Sequence, residues 1–410
     1  MQLSRTLKNI LIAGAIAIIL GLAAWYFYIT AQQRAIEQQD AARGFGTPTQ
    51  SFESSLGSTY ENLVSNISST FDGGTEEKTA TKAPQLAQVT ASPVAGANFI
   101  GSGTSTRLRF VERSSGFVFD ADPQTVELTR LTNTLVPIMH EALVVENDRL
   151  IVRGLDDNGA IATFTAQIVS TSTSADLQAL VLTRLPNDIK TIAAHPGGEG
   201  VFYIGEGAQG AVGIRSSWDL SEQTPVFTSA LAGWNAFWLA NDRIVLVQRP
   251  ASGILGYAYG ITSGRLSPIA YDVPGLTLLP HPTTTALLYG ASSGSSLSLS
   301  AQIDSSSSAV TLPIRTIADK CVWSPAESAV AFCAVPQSPT PSSFLDLWYR
   351  GETHTADAWW RIDAKAASVE LVFSPNTSVD VENPVINKNG THIAFMNAVD
   401  KSLWLLRIAE

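Results

Sequence analysis

A short hairpin recurs at nearly constant spacing over the last three hundred residues, and this limits the fold more than any other feature of the chain. Each copy has an apolar strand, a polar turn and a second strand rich in Val, Ile, Leu, Ala and Phe. VENDRLIV, AHPGGEGVFYIG, LANDRIVLV, LPHPTTTALLYG, VWSPAESAVAF and INKNGTHIAF all follow it. The second strands begin at Leu108, Leu150, Val201, Ile244, Leu287, Val330 and Ile393, with separations of 42, 51, 43, 43, 43 and 63 residues. The two larger separations contain visible insertions, a Ser/Thr-rich piece near Ser170–Leu177 and a longer one from Gln337 to Asp357.

A third strand follows each marker, as in GFVFDAD, LGYAYGI, SLSLSAQ, DAWWRID and SLWLLRI, and a fourth follows in most units, as in VELTRLT and VELVFSP. Four strands per 40–45 residues is the size of a propeller blade. One such sheet alone exposes apolar faces and free edges, whereas blades stacked in a ring bury their faces against one another. With only 15% charged residues, 30 Gly and 20 Pro, the composition suits an all-β chain. The expected fold is a seven-bladed β-propeller over residues 85–410, or six-bladed if the first or last unit is part of a shared blade. The chain stops at Glu410 just after a third strand. A segment within Gln85–Ile100 is therefore expected to supply the missing strand and latch the ring.

The N-terminal part reads differently. From Asn9 to Thr30 there is no charged residue, and about 20 apolar residues suffice for a helix to cross a bilayer. Trp25, Tyr26, Phe27 and Tyr28 close the run with rings suited to the membrane–water interface. Arg5 and Lys8 precede it, and charges of mixed sign follow. This predicts a cytoplasmic tail (1–8), an uncleaved transmembrane anchor (9–30), a stalk (31–84) and an extracytoplasmic propeller. A cleaved signal peptide is the competing reading, but four bulky aromatics stand where a cleavage site needs small residues. Within the stalk, Phe52, Leu56, Tyr60, Leu63 and Ile67 recur at helical spacing. A short amphipathic helix and a plain tether with scattered apolar residues both fit.

The segments WSPAESAVAF and NKNGTHIAFMN…KSLWLLRI resemble the repeat of TolB-like and WD40-like bacterial β-propellers, in which a Ser-Pro-Asp-Gly turn precedes an Ile-Ala-Phe strand and then a Leu-Trp strand. Ala326–Glu327 replaces Asp-Gly in one unit, and Asn387-Lys388-Asn389-Gly390 replaces the whole turn in the other. The resemblance implies an extracytoplasmic platform for protein contacts; other envelope proteins are the expected partners, and the apolar run at 9–30 is expected to engage the lipid bilayer. A net charge of −10 provides no basic field for nucleic acid.

Cys321 and Cys333 are the two cysteines, six residues on either side of Glu327. An antiparallel register can place them opposite each other, near disulfide reach; two buried thiols are the alternative. GEGAQG (Gly205–Gly210) has the spacing of a dinucleotide loop, but AVGIRSSWD after it reads as a strand where that chemistry needs a helix. GASSG around Ser292 lacks the strand–turn–helix of a nucleophile elbow. His140, His195, His281, His354 and His392 show no zinc spacing, and Asp156–Gly159 reads as a turn. No metal, cofactor or enzymatic activity is expected. The alternative is a carbohydrate-binding or hydrolytic propeller using the central channel, which requires carboxylates, histidines or arginines converging there.

The insertion QSPTPSSFLDLWYRGETHTAD carries Phe344, Leu347, Trp348, Tyr349, Arg350 and His354, the composition of a binding hot spot. The alternative is that Trp348 and Tyr349 fold back to cap their own blade.

Overall fold

The computed structural model describes residues 83–409 except 137, 157, 171–176, 208–209, 263 and 295. The expected anchor (9–30), its aromatic cluster Trp25–Tyr28, the cytoplasmic tail and nearly all of the stalk lie outside the described residues. Among those described, no helix is long and apolar enough to cross a membrane.

The chain opens with β1 (Leu86–Thr90) and then lays down four-stranded antiparallel sheets in sequence order. Blade 1 is β2 (Val94–Ile100), β3 (Arg107–Glu112), β4 (Val118–Ala121) and β5 (Leu128–Arg130). Blade 2 is β6 (Met139–Val145), β7 (Arg149–Leu155), β8 (Ile161–Val169) and β9 (Ala179–Arg184). Blade 3 comprises β10 (Thr191–Ala194), β11 (Gly200–Gly207), β12 (Gly210–Ser217) and β13 (Gln223–Ser229). Blade 4 comprises β14 (Trp234–Trp238), β15 (Ile244–Gln248), β16 (Leu255–Thr262) and β17 (Arg265–Pro274). In blade 5 are β18 (Thr277–Pro280), β19 (Leu287–Ser293), β20 (Ser296–Gln302) and the short β21 (Val310–Thr311). Blade 6 is β22 (Cys321–Trp323), β23 (Val330–Pro336), β24 (Asp357–Asp363) and β25 (Ser368–Phe373). Blade 7 has β26 (Val381–Ile386), β27 (His392–Asn397) and β28 (Leu403–Arg407), and its outermost strand is β1.

There are thus seven blades, and the predicted latch is β1. Leu86 pairs with Leu406 and Gln88 with Trp404, so the last sheet joins the two ends of the propeller sequence. Every marker residue falls on the second strand of its blade.

The packing shows why the marker strands are continuously apolar. Ile244 and Leu246 face one inter-blade core and Val245 and Val247 the next. Val330 and Phe332 pack toward blade 7, while Ala331 and Cys333 pack toward blade 5. Side chains alternate across a strand, and both sides of a blade are covered, so both parities must be apolar. Each of the seven junctions has its own buried cluster; the one between blades 7 and 1 contains Val89, Phe99, Leu108, Met396 and Leu405. Burying one such side chain stabilises the fold by roughly 1.5–3 kcal/mol. A ring spreads that gain over all seven junctions.

Candidate functional site: the face built from inner-strand and second-to-third-strand connections

In an antiparallel meander the starts of the first and third strands and the ends of the second and fourth lie on one side. The connections leading into the inner strands and those between second and third strands therefore share a face, here called the upper face. The remaining connections form the lower face. Ala83 donates its backbone N–H to the carbonyl of Gln124 in the β4–β5 connection, so the chain joins the ring from below. Ile408 bonds Thr391 between β26 and β27, which places the other end of the ring on the lower face too.

Exposed apolar residues are divided unevenly between the faces. Leu135, Ile138, Leu155, Leu231, Ile254, Leu255, Tyr349 and Val399 lie in, or directly beside, upper-face connections. The other large exposed apolar residues, Leu128, Val181, Leu266, Tyr271, Val310 and Leu371, are on outermost strands, Leu128 and Val310 as first residues directly beside lower-face connections. Among the described residues, none is in a lower-face connection. The upper-face residues are spread over six connections around the ring; exposed apolar side chains that adjoin one another mark interaction surfaces.

The 337–357 insertion also belongs to the upper face, since it joins β23 to β24. It contains α1 (Phe344–Tyr349). Phe344 and Trp348 are turned inward, 1% and 9% exposed, and pack with Leu345 on Leu297 and Ile317. This packing turns the rings of Phe344 and Trp348 away from an open binding surface and seats them on blade 5, not on blade 6, their own. Leu347 is half-buried, whereas Tyr349, Arg350 and His354 are exposed. Arg350 forms an exposed pair with Glu352 at 2.7 Å. The helix reaches across blade 5: the Asp346 carboxylate accepts the Ser252 N–H at 3.1 Å. Leu345 lies so close to Gly275 that a Cβ there would sit 2.8 Å from its Cδ1. Gly275 has φ +57°, a second reason for glycine at that turn.

Beneath the helix lies a charged cluster that sequence reading missed. Lys320 ends a 3-10 turn (Ala318–Lys320) and is fully buried. Its ammonium group donates to Asp357 at 2.5 Å, to Thr355 at 2.8 Å and to Asp380. Its Nζ stands 5.1 Å from the centre of the Trp348 ring. Asp380 also accepts the Trp348 indole N–H at 3.0 Å and the Thr355 hydroxyl at 2.9 Å, and His354 Nδ1 is 3.0 Å away. Burial would push the Asp380 carboxyl up. The charge of Lys320 and these hydrogen bonds outweigh it and hold Asp380 below the ordinary carboxylate range. Tyr349 is 41% exposed as a residue, yet its hydroxyl is desolvated beside Asp319. Burial and the neighbouring carboxylate raise the phenol well above its usual value. The signal for this cluster was faint: two charged residues in each of two largely apolar strand starts, TIADKCVW and SVDVENPV.

The other motifs resolve as structural. Cys321 and Cys333 are opposed in the β22–β23 register and form a disulfide, with Cα atoms 4.1 Å apart. Ser324 N–H bonds the Val330 carbonyl, so alternation puts the cysteines at a non-hydrogen-bonded pair, where Cα atoms approach most closely. The glycines of GEGAQG bound the β11–β12 hairpin, with no helix after it. Ser292 lies within β19, one residue before its end, and is buried. His281 Nδ1 accepts the N–H groups of Thr283 and Thr284 at 3.1 Å, and burial lowers the imidazole pKa. Asp156 accepts the N–H groups of Asn158 and Ala160 at 3.0 Å, a turn. Among the described residues, no group of three or more His, Cys, Asp or Glu is placed to hold a metal ion.

No protein-family model matches the chain, and no characterised protein matches it by sequence. Its shape is similar to that of several solved structures. An oligogalacturonate lyase from Vibrio parahaemolyticus shares 8% identity at a TM-score of 0.52, covering 79% of this chain and 94% of that one. An oligogalacturonate lyase in complex with manganese shares 11% at 0.53, covering 81% and 95%. The tricorn protease shares 8% at 0.50, and this chain spans about a third of its length, 34%. At such identities the likeness bears on the architecture alone, a seven-bladed propeller, and a fold does not fix a function. The expectation that the chain is not an enzyme is corrected here: propellers of this shape include a lyase, so the fold and its Ser- and Gly-rich repeats are no ground for setting catalysis aside.

Proposed function

We propose that the chain is a membrane-tethered, extracytoplasmic propeller of the TolB-like kind whose upper face docks other envelope proteins. One observation carries this reading: exposed apolar side chains gather in upper-face connections, and the chain joins the ring on the lower face. The apolar, aromatic-terminated run at 9–30 supports the anchor, and a cross-strand disulfide suits an oxidising compartment. Tyr349, Arg350 and His354 add a polar, aromatic-containing rim to the same face.

The test uses the full chain in its own envelope. Replacing Leu135, Ile254 and Val399 together by Asp should sharply reduce co-purifying proteins after cross-linking, with the melting temperature unchanged. Replacing the lower-face Glu222 should leave them in place. Equal recovery from both variants would overturn the reading. A periplasmic-only reporter enzyme fused after Glu410 should be active; an inactive but intact fusion would overturn the extracytoplasmic placement.

A further inference from the structure

Two hollows on the upper face adjoin each other at the junction of blades 3 and 4. One, of about 290 Å³, runs between the ends of β11 and β13 and is walled by Ile204 and Trp234. The other, of about 170 Å³, lies over the β15–β16 connection and is walled by Ile254 and Leu255. Ala232 and Arg249 line both, so the two form one groove with a cation at its waist. The guanidinium of Arg249 gives one N–H to the Lys190 carbonyl at 3.3 Å, and among the described residues it meets no carboxylate. Lys190 is itself held by Asp188 at 3.2 Å. Glu206 is the other uncommitted charge, and it lines the first hollow alone.

An unpaired cation between two partly apolar hollows complements an acid flanked by apolar side chains. In an extended chain, alternate residues point the same way about 6.6–7 Å apart, so the fitting pattern is apolar-x-acidic-x-apolar. A terminal carboxylate would leave one hollow unfilled, which argues for an internal acidic residue. We infer that this groove takes an extended segment of a partner protein with that pattern, its carboxylate on Arg249 and its apolar side chains in the two hollows. The inference rests on the upper face being the docking face and names the partner chemistry it selects.

The probe is a fluorescein-labelled Ser-Leu-Ser-Glu-Ser-Leu-Ser peptide, titrated against the full chain in detergent micelles and read by anisotropy. Saturable binding is expected. Arg249→Gln should weaken it about tenfold, a Gln-for-Glu peptide should lose the same factor, and the two changes together should cost no more than either alone. Glu206→Gln should leave binding equal or tighter. Ala232→Trp should fill the waist and abolish binding at an unchanged melting temperature. No saturable binding, or equal binding of the Glu and Gln peptides, would sink the inference. In that event, loss of co-purifying proteins in the Leu135, Ile254 and Val399 variant would show that the docking face itself stands.

Discussion

Lys320 shows how one residue can organise a face of a propeller. A fully buried ammonium is costly unless it is paired, and here two buried carboxylates, a hydroxyl and an indole ring surround it. Removing the cation strands two carboxylates in a dry site. Lys320→Met should therefore cost about 3–5 kcal/mol in a denaturant titration; a change within experimental error would show that the cluster contributes nothing to stability. The pH dependence follows from Asp380. Its carboxyl is held below 3.8 in the fold, so the folded chain binds that proton more weakly than the unfolded one. The resulting stability is complete above the unfolded value and is lost as pH falls through the folded one. Below about pH 4 the denaturation midpoint should drop more steeply for the natural chain than for Asp380→Asn. The cysteine pair was legible at this scale because both residues sit symmetrically about one turn. Lys320, Asp357 and Asp380 were not: they are 37 and 60 residues apart from Lys320 in sequence and meet only through the ring.

Among the elements, the β23–β24 excursion divides its labour between two sets of side chains. Phe344, Leu345 and Trp348 seal blade 5, while Tyr349, Arg350 and His354 remain on the surface. Trp348→Ala removes a buried ring and a hydrogen bond to Asp380, and should cost about 3–5 kcal/mol. Arg350→Ala, which breaks only an exposed pair with Glu352, should stay within about 0.5 kcal/mol. Similar losses from both, followed by thermal unfolding, would contradict this division. The cross-strand disulfide closes a short loop, and replacing both cysteines by Ala should cost about 2–3 kcal/mol. Hot-spot composition could not separate inward from outward residues here, because aromatic rings serve a core and an interface equally well. Only the helical turn of α1 assigns them.

For the whole molecule, the repeat was legible because each blade is sandwiched. Marker strands must be apolar at both parities, and that leaves a dense, evenly spaced signal. Outermost strands face water and carry a much weaker pattern: β5 is exposed throughout. The fourth strand of blade 7 was readable only as an absence at the C-terminal end, which closure then fills with β1. Deleting Leu86–Thr90 should leave β28 with an open edge, lower the melting temperature by several degrees and broaden the transition; an unchanged, sharp transition would mean the latch is dispensable. The division of exposed apolar residues between faces was not legible at all, because it depends on strand polarity around a closed ring. The most direct measurement places a photo-reactive amino acid at Ile254 or Leu135 above, and at Asp304 or Glu222 below, in the full-length chain within intact envelopes. Adducts to a second protein are predicted from the first pair and not from the second. Adducts from the lower positions, with none from the upper, would contradict the assignment of the docking face.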